Sequence, residues 1–149
     1  GSQWELYILS MCLVTDVELS PDDAVELDTR AVRARAVPLL REILSDPAPR
    51  QRDIPTIMAF AAAVGLSAVA AEDAGSDRRA VGAELVATAL AVGTNQTCRL
   101  LSHDYLRSRT ERLDAGALAQ AGERIRSLDR DELVAHAADL AGRLAGEVS

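Results

Sequence analysis

Apolar residues recur along most of the chain with the three- and four-residue spacing of amphipathic helices. The stretch from Ser20 to Asp23 combines an N-cap, a proline at the first helical position and acidic side chains, and so predicts a helix start. Pro38 should kink or split that helix. The earlier segment from Trp4 to Val14 is apolar almost all round, a pattern that fits a strand or a buried helix, and its Leu and Met content favours a helix.

Two nearly uncharged helices are predicted in the middle of the chain. The first runs from about Pro55 to Ala71 with Asp53 as its cap, and the second from about Asp77 to Val92. Small side chains on one face of each helix let two backbones approach closely. These small residues are Ala59, Ala63, Ser67 and Ala70 in the first helix, and Ala80, Ala83, Ala87 and Ala91 in the second. We expect this pair to form the centre of the bundle, or of a dimer.

The last third of the chain predicts three further helices. Gly93 is typical of a helix end, and a separate helix should run from about Gln96 to Leu113. The next helix has one apolar face, formed by Leu118, Ala121, Ile125 and Leu128. Asp129 and Glu132 then have the spacing of a capping box. The helix that they begin carries an apolar stripe of Leu133, Ala137, Leu140 and Leu144.

These patterns predict an all-α fold, a single-domain Ala-rich bundle of about five to six helices over residues 3–149. A length of 149 residues suits one domain. Only 3% of the residues are aromatic, and much of the 48% apolar content is alanine, so close helix contact must replace bulky side chains. Gly1 and Ser2 are typical of the remnant of a cleaved purification tag.

The net charge of −7 argues against broad binding to nucleic acid or anionic membranes, because a polyanion would be repelled. The longest uncharged stretch, residues 54–71, contains Pro55 and Gly65 and is interpreted as a buried helix rather than a membrane span. The chain contains no lysine, which indicates a GC-rich bacterial genome and excludes Schiff-base chemistry. Cys12 and Cys98 match no zinc spacing and are expected to be buried free thiols in the cytoplasm. No cofactor is expected.

The residues from 95 to 112 are the most suggestive of ligand binding. Arg99, His103 and Arg107 lie four residues apart, so on one continuous helix they would share a face and could hold a phosphate or carboxylate. Tyr105 lies in the same stretch and is a further candidate contact. The alternative interpretation is a solvated arginine-rich face.

Glu84 is the only charge between positions 79 and 99. Its place on the helix predicts a polar flank that is either solvated or lines a groove. If the carboxylate were desolvated, it could act as an acid or base, or pair with an arginine. Glu132, His136 and Asp139 have a spacing that can hold a divalent metal, but each also fits a capped helix, and no metal site is predicted.

No motif of a hydrolase, kinase or dinucleotide enzyme is present. The leading hypothesis is a non-catalytic interaction or regulatory module that binds itself as a homodimer or binds another protein. Its basis is that the helices beginning at Trp4 and Ile54 offer more apolar surface than a small bundle covers. A second hypothesis is a small-molecule-binding bundle with a pocket near Glu84, Arg99 and His103. A third is a helical biosynthetic enzyme with Glu84 and His103 as acid and base and Arg99 as the anion contact.

Overall fold

A computed structural model describes residues 8–14, 29–45, 53–71, 75–94 and 102–148, and within these ranges it contains seven helical segments and no strand. Residues 8–14 belong to α1. The other helices are α2 (Thr29–Leu44), α3 (Ile54–Ala70), α4 (Ser76–Val92), α5 (His103–Leu113), α6 (Ala117–Ile125) and α7 (Arg130–Val148). The predicted all-α class is confirmed. The expected count of five to six was slightly low, since the described residues contain seven helical segments, one of them over residues 8–14.

The helix α3 lies at the centre of the bundle. Every residue from Ile57 to Val69 is buried, as expected for a helix that is apolar all round. Its neighbours in the same chain therefore cover it, and α3 gives no support to the argument that excess apolar surface requires a second copy. Within the described ranges, no helix combines the length and apolar character that crossing a membrane would require.

The interface between α3 and α4 is the most extensive helix contact in the described part of the chain, as the small-residue pattern predicted. Its closest point joins two glycines. A Cβ atom added to Gly65 would lie 2.6 Å from the Gly82 carbonyl oxygen, and one added to Gly82 would lie 2.7 Å from the Gly65 oxygen. The two backbones thus touch directly, and Val86 of α4 and Ala68 of α3 are the nearest side chains at this point, rather than the predicted alanines. Of those alanines, Ala80 and Ala91 are exposed.

Pro38 does not split its helix. The helix α2 runs unbroken from Thr29 to Leu44, and Pro38 is exposed on its surface. The backbone position that lacks an N–H group therefore faces water, where the lost hydrogen bond costs least. The predicted start between Ser20 and Asp23 lies outside the described residues.

The start of α5 differs from the prediction. The helix begins at His103 after Ser102, whose extended backbone and side chain form the N-cap, with the Tyr105 N–H donating to the Ser102 hydroxyl at 3.3 Å. A single helix from Gln96 to Leu113 is therefore wrong, because Ser102 is not helical. The predicted helix end at Gly93 is correct, and this residue has a φ angle of 113°.

The capping box at the start of α7 is confirmed. The Asp129 N–H donates to Glu132 Oε1 at 3.0 Å, and the Glu132 N–H donates to Asp129 Oδ1 at 2.8 Å. The whole predicted stripe of α7 is buried, namely Leu133, Ala137, Leu140 and Leu144. This stripe packs α7 against α4 and α2 and completes the core.

Candidate functional site

Glu84 is the most deeply buried acidic side chain in the described part of the chain. It projects from α4 with 9% of its side chain exposed, so the expectation of a solvated carboxylate is wrong. The reason lies in tertiary packing, because α6 and α7 both pack on α4 and cover the polar flank that the helix alone would leave in water. Burial of a charge requires partners for its oxygen atoms.

Both carboxylate oxygens of Glu84 have such partners. Arg124 of α6 donates from Nε to Oε1, and His136 of α7 lies with Nε2 2.7 Å from Oε2. An ionised carboxylate can only accept hydrogen bonds, so His136 donates from Nε2. We refer to Glu84, Arg124 and His136 as the Glu84 cluster. This cluster joins α4 to α6 and α7, whose partner residues lie 40 and 52 positions further along the chain than Glu84.

The partners determine the protonation state of Glu84. Burial raises the pKa of its carboxyl group. The hydrogen bonds and positive charges of Arg124 and His136 lower this pKa by a larger amount, so that it lies below the ordinary value of 4.5. The carboxylate is therefore ionised at neutral pH. Because both of its oxygens already accept hydrogen bonds, the group is unsuited to act as a general acid.

His103 is not brought to Glu84. The Thr94 N–H, just beyond the end of α4, donates to Nε2 of His103 at 3.2 Å. Glu84 lies eight residues before the last residue of α4, Val92, a distance of about 12 Å along the helix axis. Since Nε2 of His103 accepts a backbone hydrogen bond, this nitrogen is not available as a base. The two residues proposed as acid and base occupy separate places.

The two other ligand-contact candidates that the structure describes, Tyr105 and Arg107, differ in their surroundings. Arg99 lies outside the described residues, as does Cys98. Tyr105 is half-buried and packs against the main core, whereas Arg107 is exposed on α5. Cys12 is a free, half-buried thiol. Arg107, unlike Tyr105, lines a surface groove.

This groove, which we call the α6 groove, has a volume of about 580 Å³ and opens to solvent beside α6. Its larger apolar side chains come from α4, α6, α7 and the turn before α7: Leu90, Leu118, Ile125, Leu128 and Leu133. Small residues from α4 and α6 line it as well: Ala87, Ala91, Ala119 and Gly122. The charged lining residues are Arg107, Glu111 and Arg126.

The Glu84 cluster borders the α6 groove on three helices. On α4, Glu84 lies one turn before the lining residue Ala87, and on α7, His136 lies one turn after Leu133. Arg124 directly precedes Ile125, another lining residue. A part-buried ionic cluster and an open apolar groove are thus neighbours in the fold.

Sequence reasoning missed Arg124 and His136 as partners of Glu84. For His136 it considered only Glu132 and Asp139 on the same helix, but Glu132 is held in the capping box and Asp139 is exposed. The signal available was the position of His136 between Leu133 and Ala137, at the edge of a buried stripe. A histidine at such a position faces a neighbouring helix rather than open water.

The comparisons with known proteins add no further information about the site. No protein-family model, curated protein sequence or solved structure matches this chain.

Proposed function

We propose that this chain is a non-catalytic interaction module that binds a helix of another protein in the α6 groove. The bound segment has an apolar stripe flanked by acidic residues. The observation that carries the proposal is the groove itself, which combines an apolar lining, small residues and two arginines on an otherwise acidic chain.

The shape and lining of the groove favour a helix as the occupant. The small residues Ala87, Ala91, Ala119 and Gly122 line it on α4 and α6. Small side chains allow a helix backbone to approach closely, as Gly65 and Gly82 allow within the bundle itself. Half-buried Leu90 and Leu118 offer apolar contacts for the residues of a helical stripe.

The charges of the groove favour an acidic partner. Arg107 and Arg126 are both exposed and line it. The one acidic lining residue, Glu111, is engaged at the turn after α5, where both of its carboxylate oxygens accept from the Gly116 N–H at 3.2 Å. A second copy bound groove to groove about a twofold axis would bring arginines towards arginines, which disfavours the homodimer at this surface.

The remaining hypotheses have less support. An enzyme that uses Glu84 and His103 together is disfavoured, because the two side chains have different partners. Glu84 pairs with His136 in the middle of α4, whereas His103 accepts from the Thr94 N–H beyond the end of that helix. A small-molecule site would be favoured by an enclosed cavity, whereas the α6 groove opens to solvent and Glu84 is covered by its partners.

The test is a selection of helical peptides from a displayed library, followed by affinity measurements on two matched variants. Ala91 and Ala80 are both exposed alanines of α4, but only Ala91 lines the groove. Ala91→Glu inserts a longer side chain and a negative charge into the groove, and Ala80→Glu makes the same change outside it. We expect selected peptides to lose affinity about tenfold or more with Ala91→Glu, and to bind Ala80→Glu like the parent protein.

Selection of no helical peptide that distinguishes these two variants would refute the proposal. So would peptides that bind both variants equally. Circular dichroism of the two variants checks that both remain folded. A neutral or basic consensus among the selected peptides would overturn the acidic partner while retaining the groove as the binding surface.

A further inference from the structure

We infer that the Glu84 cluster is the positioning network of the α6 groove, holding α6 in place as one wall of the binding surface. This inference rests on the proposed function for its consequence, but the position of α6 can be measured without any bound peptide. The argument concerns what attaches α6 to the rest of the bundle.

The apolar attachment of α6 is small. The helix has nine residues, and its buried members are Ala117, Ala121 and Ile125. Two of these three are alanines, whose burial removes little apolar surface from water. Within the described residues, the main packing partner of α6 is α4, with a smaller contact to α5. A short helix with so little buried apolar surface belongs to the low-stability part of a fold.

The ionic attachment of α6 is made by Arg124. Its Nε donates to a carboxylate that is 9% exposed and fixed from the other side by His136. Glu84 and His136 belong to α4 and α7, two helices that pack extensively on each other. The ion pair of Arg124 with Glu84 then connects α6 to α4 and α7. Hydrogen bonds to a charged group are stronger than those between neutral groups.

A shift of α6 would change the groove directly. Leu118, Ala119, Gly122 and Ile125 all line the groove from this helix, and Arg126 follows its last residue. Loss of the ion pair between Arg124 and Glu84 would therefore shift the apolar lining residues of α6 and also change the position of Arg126, one of the two lining arginines. The Glu84 cluster does not line the groove itself, so its effect on binding passes through α6.

The experiment compares Arg124→Gln with Arg130→Gln by hydrogen exchange of the backbone amides. Each variant loses one positive charge from an exposed arginine, so effects of overall charge are matched. We expect Arg124→Gln to speed exchange of the α6 amides by about tenfold or more and to change that of α3 by less than about threefold. Arg130→Gln should leave both helices unchanged. Arg124→Lys, which keeps the charge, should restore part of the protection.

Equal acceleration in α6 and α3 would overturn the inference, because the change would then be a general loss of stability. Unchanged exchange in α6 would overturn it as well. Once a groove-binding peptide is in hand, its affinity should fall about fivefold or more with Arg124→Gln and stay constant with Arg130→Gln. If the library yields no peptide, the proposed function fails, while the exchange result still decides whether the cluster positions α6.

Discussion

The interface of α4 with α3 and its interface with α6 differ in the chemistry of their contacts. Towards α3, α4 presents Gly82, and the contact is backbone against backbone with apolar side chains around it. Towards α6 and α7, it presents Glu84, whose buried charge accepts hydrogen bonds from Arg124 and His136 in addition to the apolar contacts of these helices. The first interface requires a residue without a side chain, Gly82, whereas the second uses the side chain of Glu84. We expect the two interfaces to respond in opposite ways to the same kinds of substitution.

The largest effect is expected at the α3–α4 crossing. In Gly82→Ala the new Cβ would lie 2.7 Å from the Gly65 carbonyl oxygen and 2.9 Å from the Ala68 Cβ. Neither atom belongs to a flexible side chain, so the helices must move apart. The free energy of unfolding should fall by about 3 kcal/mol, the upper part of the range for overpacking. Urea denaturation measures this free energy of unfolding. A decrease of less than about 1 kcal/mol would mean that the crossing is not tightly packed.

Removal of the buried charge should have a smaller effect. Glu84→Gln keeps the size of the side chain but removes its charge and leaves one acceptor oxygen for two donors, which should lower the free energy of unfolding by about 1.5 kcal/mol. Glu123 is an exposed glutamate on α6, and Glu123→Gln serves as the control. The control should stay within about 0.5 kcal/mol of the parent protein. A change of equal size in both variants would contradict a special role of Glu84.

The pH dependence of the same variant sharpens the comparison. The pKa of Glu84 is below its ordinary value in the folded protein, so its ionised form contributes stability that is fully present above pH 4.5. This contribution is lost as the pH falls through the lowered pKa. The difference in unfolding free energy between the parent protein and Glu84→Gln should therefore shrink as the pH falls below 4.5. An undiminished difference at low pH would show that the charge is not its cause.

The smallest change in the free energy of unfolding is expected at two glycines outside the α3–α4 crossing, and its sign is opposite to that of Gly82→Ala. An added Cβ at Gly122 meets no atom within 4 Å, and the same holds at Gly142 of α7. Gly122→Ala and Gly142→Ala should each raise the free energy of unfolding by about 0.5 to 1 kcal/mol, because alanine is the better helix former. Only Gly122 lines the groove, so only its substitution should alter peptide binding.

The sequence predicted those features that depend on neighbouring residues. The capping box of Asp129 and Glu132, the helix end at Gly93 and the buried stripe of α7 were all predicted from local spacing. The small-residue pattern predicted that α3 and α4 pack together, but not that Gly65 and Gly82 form the contact. Which residues meet depends on the crossing geometry of two helices, and no pattern within either helix contains that information.

The site could be predicted only in part for the same reason. The sequence indicated Glu84 as an unusual charge and named an arginine as one option for its partner. It did not identify Arg124, which lies 40 residues further along the chain, or His136, which lies 52 residues away. The exposed arginine-rich stretch drew attention to His103 instead. Ser102, within that stretch, is the N-cap of α5, so this helix begins at His103 and not at Gln96.

The crossing of α3 and α4 also bears on how the chain folds. Gly65 and Gly82 are 17 positions apart, so the entropy lost in closing the loop between them is small. The packing of α2 on α7 joins segments at least 86 positions apart, from Leu44 to Arg130. We expect the α3–α4 hairpin to form early in the folding reaction and the α2–α7 contact to form late. Gly82→Ala should then slow folding, whereas substitutions at the α2–α7 contact should mainly speed unfolding.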